Sequence, residues 1–356
     1  YKKNLLAHRN IVEVLLTLSF FPIILAGPIQ RPATLLPQIT NKRNFENGSA
    51  VDGLRQILWG LFKKVVLADT CAANADYIFS NYGTLNGSVL VLGVVYFAFQ
   101  LYGDFSGYSD IAIGVGRLFG FNLMRNFAFP YFSRDIATFW QRWHISLTTW
   151  FRDYIFLPLS FTISWRINKE RVLFMKTDLF IYIAASIITW FLTGLWHGAN
   201  YTYIVWGMIH GFFLIVFQWQ KKPRKKLLKR IKVSNDNQFV VIAETMITLT
   251  IVAFAWIFFR ASSIREAFLY VRDMFANGIF TISILDLRGR GISSTLIDAS
   301  IAIVAVVIIE WIQRKKQHGL EISHYPMMLR WGLYWVLAFI CLMYLGNERT
   351  FIYFQF

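Results

Sequence analysis

Two histidines occupy positions suited to proton transfer in a dry pocket. His197 lies in the run GLWHGAN, residues 194–200, where small neighbours would let a substrate approach the imidazole closely. His144 lies in the run FWQRWHISL, with Trp140 four residues before it and Thr148 four residues after it on one face of a predicted helix. Neutral imidazole takes a proton from a hydroxyl or thiol and returns it to a leaving group at neutral pH. An interfacial histidine in a tight helix–helix turn is an equally weighted structural alternative for His197.

The other four histidines are assigned to solvated or structural positions. His8, His318 and His324 lie in basic or polar stretches and are predicted to be solvated. His210 lies inside an apolar segment and is predicted to be a hydrogen-bonded packing residue. It would lie about 220° from His197 around a continuous helix, so a metal site shared by the two is not expected. The sequence also has no zinc-like ligand spacing, Gly-rich phosphate loop or nucleophile elbow, so we expect no resident metal or cofactor.

The composition indicates a membrane protein. Of the 356 residues, 56% are hydrophobic and only 16% are charged, against roughly 25% charged in an ordinary globular chain. A soluble fold of this size would have to bury more apolar side chain than its surface-to-volume ratio allows. The net charge of +16 does not favour nucleic acid as a partner, because the basic residues are clustered. Eight of them lie in KKPRKKLLKRIK, residues 221–232.

Seven apolar segments are predicted to form helices, most of them long enough to cross about 30 Å of hydrocarbon. They are Ile11–Ala26, Ser88–Tyr102, Leu179–Trp196, Thr202–Trp219, Phe239–Phe259, Thr295–Ile312 and Leu329–Leu345. Basic loops mark the cytoplasmic side of a membrane, which places Lys221–Lys232 in the cytoplasm. The alternation of the spans that follow then places the C-terminal Phe356 outside the cytoplasm. The sequence begins at Tyr1 without a Met, and we expect N-terminal spans to be missing from it.

The segment from Gly103 to Phe161 differs from the rest of the chain. It is too polar for ordinary spans and too aromatic for a water-exposed loop. Backbone that is not helical can lie at membrane depth only where it is buried in protein or lines a wet cavity. Short re-entrant or in-plane helices are therefore predicted here. Its ionisable residues are candidates for function, because charges at membrane depth are costly.

Three runs in the chain resemble the membrane-bound O-acyltransferase family. They are YGDFSGYSDIAIG at 102–114, FWQRWHISL at 139–147 with its continuation WFRDY at 150–154, and LWHGA at 195–199. Their order and detail are most similar to the bacterial branch typified by the alginate O-acetylation membrane protein, and the resemblance extends over nearly the whole chain. One departure follows Tyr154. Family members often continue to a Pro-Leu-Gly-Gly-like turn, where this sequence has LPLSF at 157–161.

The resemblance implies an all-α polytopic membrane protein, a ring of spanning helices with re-entrant or in-plane helices around a central tunnel. It implies one domain over residues 1–356. His197 would be the catalytic residue, either as a general base or as a transient acyl carrier. His144, at a position where many eukaryotic relatives carry Asn, would orient the thioester or steady the developing oxyanion. Four charged residues are assigned supporting roles, with structural ion pairing as the favoured alternative: Asp104, Arg142, Arg152 and Asp153.

The implied reaction moves an acetyl group from a cytoplasmic thioester, acetyl-CoA, to hydroxyls of an exported polysaccharide. A partner transferase in the periplasm or at the surface would receive the acyl group, and the protein would lie in the bacterial inner membrane. Two alternatives stay open. The donor could be an aminoacyl carrier protein, as in D-alanylation of teichoic acids. The chain could instead be a transporter in which His197 and His144 relay protons, although the polar aromatic block occurs only once and transporters often have pseudo-symmetric halves.

Overall fold

The structure is a computed structural model that describes residues 9–278, 293–346 and 351. The chain divides into two compact units. Within the described residues, the first unit takes in the chain up to Ala73, Phe99–Ala128 and the chain from Ser294 to Phe351. The second unit takes in Asn74–Ala98 and the chain from Phe129 onwards to Ser293. The predictions for His8 and for the C-terminal Phe356 lie outside the described residues, and a single domain over residues 1–356 stays a prediction.

Helices form nearly all of the regular structure. In chain order they are α1 (Ile11–Leu18), α2 (Pro32–Thr40), α3 (Asn47–Leu61), α4 (Asp69–Ser80), α5 (Gly87–Leu118), α6 (Ile136–Arg142), α7 (Ile145–Phe151), α8 (Leu157–Arg166), α9 (Thr177–Trp196), α10 (Tyr201–Arg230), α11 (Gln238–Arg260), α12 (Ile264–Ala276), α13 (Ser293–Ile312) and α14 (Met327–Tyr344). Two π-helical segments, Phe62–Ala68 and Arg152–Phe156, continue α3 and α7. Two short strands, β1 (Arg171–Val172) and β2 (Met175–Lys176), pair antiparallel in a hairpin. The all-α prediction is confirmed, and within residues 9–278 and 293–346 this hairpin is the exception.

Among the residues that the structure describes, five helices are long and apolar enough to cross a membrane: α5, α9, α10, α11 and α14. They confirm the predicted spans that begin near Leu179, Thr202, Phe239 and Leu329, and α13 covers the predicted segment Thr295–Ile312. Large apolar side chains are exposed along these helices, as Phe239 and Phe339 show. Such surfaces suit hydrocarbon rather than water, and the chain is a polytopic membrane protein. The ring around a central tunnel stays a prediction of the resemblance.

The first predicted span, Ile11–Ala26, is shorter in the structure than the sequence suggests. Its helix α1 ends at Leu18. The reason is Pro22, which has no N–H to donate and whose ring clashes with the carbonyl group four residues earlier, that of Leu18. The apolar run therefore contains a helix of only 8 residues followed by turns.

The polar segment Gly103–Phe161 is also only partly as predicted. Its first part does not form short helices, because Gly103 to Leu118 is the second half of the 32-residue helix α5. Here α5 packs backbone to backbone on α3: a Cβ added to Gly107 would lie 2.7 Å from the carbonyl oxygen of Gly60. From Ile136 onwards the segment does consist of short helices, α6 to α8. Their re-entrant or in-plane course stays a prediction.

The first unit contains a buried network of ion pairs between α5 and the π-helical segment Phe62–Ala68. Lys63 Nζ lies 2.6 Å from a carboxylate oxygen of Asp110, and Lys64 Nζ lies 2.7 Å from one of Asp104. A π-helix turns less per residue than an α-helix, which lets two consecutive lysines both meet α5. Elsewhere in the same unit, the Tyr102 hydroxyl donates a 2.7 Å hydrogen bond to Glu310 of α13. The acids of the run 102–114 are thus balanced inside the protein by lysines from a neighbouring segment.

Candidate active site

His197 is held at a tight junction between two spanning helices of the second unit. It is the C-terminal cap of α9, and Gly198 follows it with a φ of +147°, a conformation that L side chains rarely adopt. Asn200 then begins α10, because its side-chain oxygen accepts a 3.1 Å hydrogen bond from the backbone N–H of Thr202. The sequence GLWHGAN therefore encodes a helix end, a glycine turn and a helix start in seven residues.

Glycines bring α9 and α10 close together beside this junction. A Cβ on Gly194 would lie 2.5 Å from the carbonyl oxygen of Tyr203, and one on Gly207 would lie 2.4 Å from that of Trp190. Any side chain at these positions would push the two helices apart. The close packing of α9 and α10 fixes the position and orientation of the His197 imidazole, and a catalytic group must be held in a fixed geometry.

The His197 imidazole lies among aromatic rings and is only 8% exposed. The rings of Trp196, Trp206 and Phe259 lie 4.8, 4.9 and 5.1 Å from it between centroids, each nearly perpendicular to the imidazole. Burial among these rings disfavours the charged form and lowers the pKa of His197 well below the ordinary imidazole value. His197 is therefore a neutral imidazole at physiological pH, the form that can accept a proton.

His144 lies at a break between two short helices, not in the middle of one helix as the sequence predicts. It is the N-terminal cap of α7, directly after Trp143 at the C-terminal cap of α6, and its φ is +43°. The prediction that Trp140 and Thr148 share a helical face with it is therefore wrong. The left-handed backbone turns the chain at this point, a conformation in which only Gly, Asn, Asp and His are at all common.

His144 is nevertheless close to His197. Both imidazoles contact the ring of Trp196, at 6.2 Å for His144 and 4.8 Å for His197 between centroids. His144 is only 4% exposed, and its pKa is lowered first by burial and secondly by its proximity to His197. The structure thus brings together the two histidines that the sequence singles out, and both are neutral.

His210 is linked to His197 through Trp206, because the indole ring of Trp206 contacts both imidazoles. The His210 ring lies 5.0 Å from Trp206 and 4.9 Å from Trp140 between centroids, and it is fully buried. The prediction of a packing residue is therefore confirmed. Among the described residues neither nitrogen of His210 has a hydrogen-bond partner, so the predicted hydrogen bond is wrong. His318 is also not solvated as predicted: it is buried in the first unit, with Nε2 3.2 Å from Asp52.

The four charged residues assigned to supporting roles are placed differently from one another. Arg152 and Asp153 form an exposed ion pair of 2.8 Å within the π-helical segment that follows α7. Arg142 donates a 3.3 Å hydrogen bond to the backbone carbonyl group of Phe132. Asp104 belongs to the first unit, where it pairs with Lys64. Ion pairing and backbone support are what the structure shows for these side chains.

Sequence reasoning missed several residues that the structure emphasises. Lys63 and Lys64 lie in the apolar run ILWGLFKKVVLA, and Glu310 is an acid near the end of a predicted span. Ionisable residues in apolar runs are themselves a signal of buried polar contacts. Trp206 and Phe259 have no such signal, because an aromatic residue that contacts a catalytic group looks like any other core residue in a sequence.

The chemistry open to this site is proton transfer in a dry aromatic environment. Among the residues that the structure describes, no group of three or more His, Cys, Asp or Glu side chains is placed to hold a metal ion. A buried neutral imidazole with a second one nearby can take a proton from a hydroxyl group and stabilise charge on a reacting carbonyl oxygen.

The sequence is similar to proteins of known family. The model of the membrane-bound O-acyltransferase family, MBOAT, matches residues 2–264. The chain is 35% identical to the protein named “Probable alginate O-acetylase AlgI” of Pseudomonas aeruginosa, over 80% of this chain and 50% of the relative. It is 34% identical to the peptidoglycan O-acetyltransferase of Helicobacter pylori, over 76% of this chain and 48% of the relative. It is 28% identical to the teichoic acid D-alanyltransferase of Bacillus subtilis, over 72% of this chain and 62% of the relative. The chain spans about half the length of the first two relatives.

Proposed function

Because the chain belongs to the membrane-bound O-acyltransferase family, we propose that it transfers an acetyl group from a cytoplasmic thioester, acetyl-CoA, towards hydroxyls of an extracytoplasmic polysaccharide. The observation that carries this proposal is the pair of buried neutral histidines, His197 and His144, at the ring of Trp196. No bound cofactor is needed, since acetyl-CoA is a substrate.

In the proposed step His197 is the general base. The acceptor hydroxyl gives its proton to the imidazole as its oxygen bonds to the acetyl carbon, the C–S bond breaks, and the leaving thiolate takes the proton back. No net proton is gained or lost. The second form of the proposal has the imidazole attack the thioester first and carry the acetyl group transiently. In both, His144 steadies the negative charge on the carbonyl oxygen or orients the thioester. Asp104, Arg142, Arg152 and Asp153 act only by supporting the surrounding fold.

The position of His197 just before the start of α10 supports an acceptor outside the cytoplasm. The basic segment Lys221–Lys232 begins about 20 residues after the start of α10, which at about 1.5 Å per residue is roughly 30 Å, the thickness of the hydrocarbon core. We propose that this segment is cytoplasmic, that the C-terminus is outside, and that the membrane is the bacterial inner membrane. His197 then lies towards the opposite face, and a cytoplasmic thioester reaches it only through the protein, as the implied tunnel requires.

The acceptor side is proposed from the relatives. Their names describe acetylation of alginate and of peptidoglycan, and we propose an exported polysaccharide as the final acceptor here, with a partner transferase in the periplasm or at the surface. D-alanyl transfer to teichoic acid is the second candidate function. The chain is less similar to the D-alanyltransferases than to the acetylases, at 28% identity for the Bacillus subtilis protein. This difference favours an acetyl group over a D-alanyl group.

The test of the proposed function uses inside-out membrane vesicles from cells that carry the gene, so that the partner transferase is present, with radiolabelled acetyl-CoA outside and an oligosaccharide acceptor inside. Transfer of label to the acceptor as an alkali-labile ester is the expected result. Label that enters the vesicles without ester formation would contradict the proposal and indicate a transporter. Mass spectrometry of polymer from cells that carry the gene separates an acetyl from a D-alanyl ester, and a D-alanyl ester would overturn the assignment of the donor.

The left-handed backbone of His144 gives a prediction about its replacement. We expect His144→Ala to lower the rate of acetyl transfer by about 10²–10³-fold, the usual effect of removing one oxyanion donor. His144→Asn should lower the rate of acetyl transfer markedly less than His144→Ala does, because Asn retains a hydrogen-bond donor and adopts the left-handed conformation more readily than Ala. The measurement is the rate with acetyl-CoA for both variants at equal amounts of folded protein. Equal loss in both would contradict a donor role.

The lowered pKa of His197 gives a prediction about pH. An imidazole with an ordinary pKa near 6.5 would lose about tenfold of its neutral form between pH 7.5 and 5.5. Because burial lowers the pKa of His197, we expect the transfer rate to stay within about twofold over this range. The free energy of unfolding should depend on pH. Below about pH 6.5 His197 takes up a proton in the unfolded chain but not in the folded protein, so the folded state becomes less stable as the pH decreases. Samples held at pH 5.5 and assayed at pH 7.5 control for unfolding. A tenfold loss that reverses on return to pH 7.5 would contradict a buried base.

A further inference from the structure

The hairpin of β1 and β2 has two large apolar residues at its tip. Its register pairs Val172 with Met175, which leaves Leu173 and Phe174 as a two-residue turn. Both have left-handed backbone, with φ values of +46° and +64°. Turns of this kind favour Asn-Gly, because bulky side chains are strained at positive φ.

The tip is also fully presented to the surroundings. Leu173 is 69% exposed and Phe174 is 101% exposed, and Trp165 at the end of α8 is 88% exposed. An Asn-Gly turn would close the hairpin with less strain and without exposed apolar surface. The residues found here are therefore unfavourable both for the turn and for contact with water, and exposed apolar surface of this kind marks a contact site.

The chain segment on either side of the tip is basic. Four exposed cations and one exposed acid lie within this segment: Arg166, Lys169, Arg171, Lys176 and Glu170. We call these five residues the basic rim. An apolar tip in a basic segment, with an exposed tryptophan at the end of the preceding helix α8, is complementary to the interface of a membrane that contains anionic lipid.

The hairpin is fastened directly to a spanning helix. The backbone N–H of Thr177, the first residue of α9, donates a 3.1 Å hydrogen bond to the carbonyl group of Glu170, and the Thr177 hydroxyl bonds to the carbonyl group of Lys169. Phe174 precedes α9 by three residues, so at roughly 3.3 Å per residue it lies within about 10 Å of the start of the span. The tip is therefore always within reach of a membrane surface.

We propose that Leu173 and Phe174 insert into the membrane leaflet at the N-terminal end of α9, with the basic rim on anionic headgroups. The hairpin then anchors the start of the helix whose other end holds His197. This inference concerns membrane contact alone and stands whether or not acetyl is the transferred group.

The test measures the depth of the tip in the complete protein. A nitroxide is attached at Phe174→Cys, and the protein is reconstituted in vesicles of phosphatidylcholine alone or with roughly one third phosphatidylglycerol. Cys71 and Cys341 are both buried, and unsubstituted protein treated in parallel gives their background. We expect the label to be relaxed more by oxygen than by a water-soluble nickel complex in anionic vesicles, while a label at Glu170→Cys shows the reverse. Greater accessibility of the Phe174→Cys label to nickel than to oxygen in both kinds of vesicle would overturn the proposal. This result would mean that the tip lies in water, as expected for a binding site for another protein. Equal depth in neutral vesicles would overturn the assignment of the rim to anionic headgroups.

A second variant separates the tip from the fold of the hairpin. Leu173→Asn combined with Phe174→Gly supplies the turn sequence that the backbone prefers and removes the apolar surface. We expect the thermal stability in detergent to be unchanged or higher, while a label at Val172→Cys moves from oxygen-accessible to nickel-accessible in anionic vesicles. No change at this label would show that the tip does not hold the hairpin in the membrane.

Discussion

Replacing His197 with Gln should strongly lower the rate of acetyl transfer and leave the protein folded. We expect His197→Gln to lower the transfer rate by about 10²–10⁴-fold, the usual contribution of a general base, because Gln fills much of the same volume but takes no proton at neutral pH. If the imidazole carries the acetyl group covalently, the loss is complete. The measurement is ester formation from acetyl-CoA in inside-out membrane vesicles, together with the ester content of exported polymer from cells.

The matched control is His324→Gln, because this histidine is exposed and lies far along the sequence from the aromatic cluster. It should change the rate by less than about twofold. Unfolding in detergent must give the same stability for His197→Gln and the unsubstituted protein within about 1 kcal/mol, since the rings around the site are kept. Full activity in a folded His197→Gln variant would end the assignment of His197 as the base.

Much of the site could be predicted because its key residues lie in continuous runs. GLWHGAN contains a helix end, a glycine turn and a helix start, so the sequence itself places His197 between two spans, as the structure shows. The spans that begin near Thr202 and Phe239 follow from length and apolar content, which are local properties. The general class of fold was therefore accessible without any contact between distant residues being known.

The predictions that were wrong depend on backbone or tertiary effects. Trp140 to Thr148 reads as one helix, and only the left-handed backbone of His144 divides it. The polarity of Gly103 to Leu118 predicts that this segment does not continue a span. It does so because its acids are balanced by Lys63 and Lys64, some 40 residues earlier in the chain, and the segment alone does not show this. His318 reads as solvated, because its partner Asp52 is distant in sequence. Pairings of this kind are properties of the folded chain, and a pattern in one segment does not reveal them.

The buried pairing of Lys63 with Asp110 leads to the second large expected effect. Lys63 is only 2% exposed, its Nζ also lies 2.8 Å from the Ser106 hydroxyl, and Gln56 donates a 2.7 Å hydrogen bond to Asp110. Removing one member of a buried ion pair leaves the other charge uncompensated and costs about 3–5 kcal/mol. We therefore expect Lys63→Met to lower the free energy of unfolding by this amount, measured by titrating micelles of the protein with sodium dodecyl sulfate.

The double variant Lys63→Met with Asp110→Asn distinguishes the lost ion pair from a simple packing defect. Asn removes the stranded charge and can still accept the hydrogen bond from Gln56, so we expect more than half of the lost stability to return. The matched control is Lys316→Met, because Lys316 forms a partly exposed ion pair with Glu321 at 3.4 Å. This variant should change the stability by less than about 1 kcal/mol. A double variant no more stable than Lys63→Met would mean that the lysine stabilises α5 through its packed side chain. Recovery would show that Asp110 can lie inside the first unit because Lys63 balances its charge there.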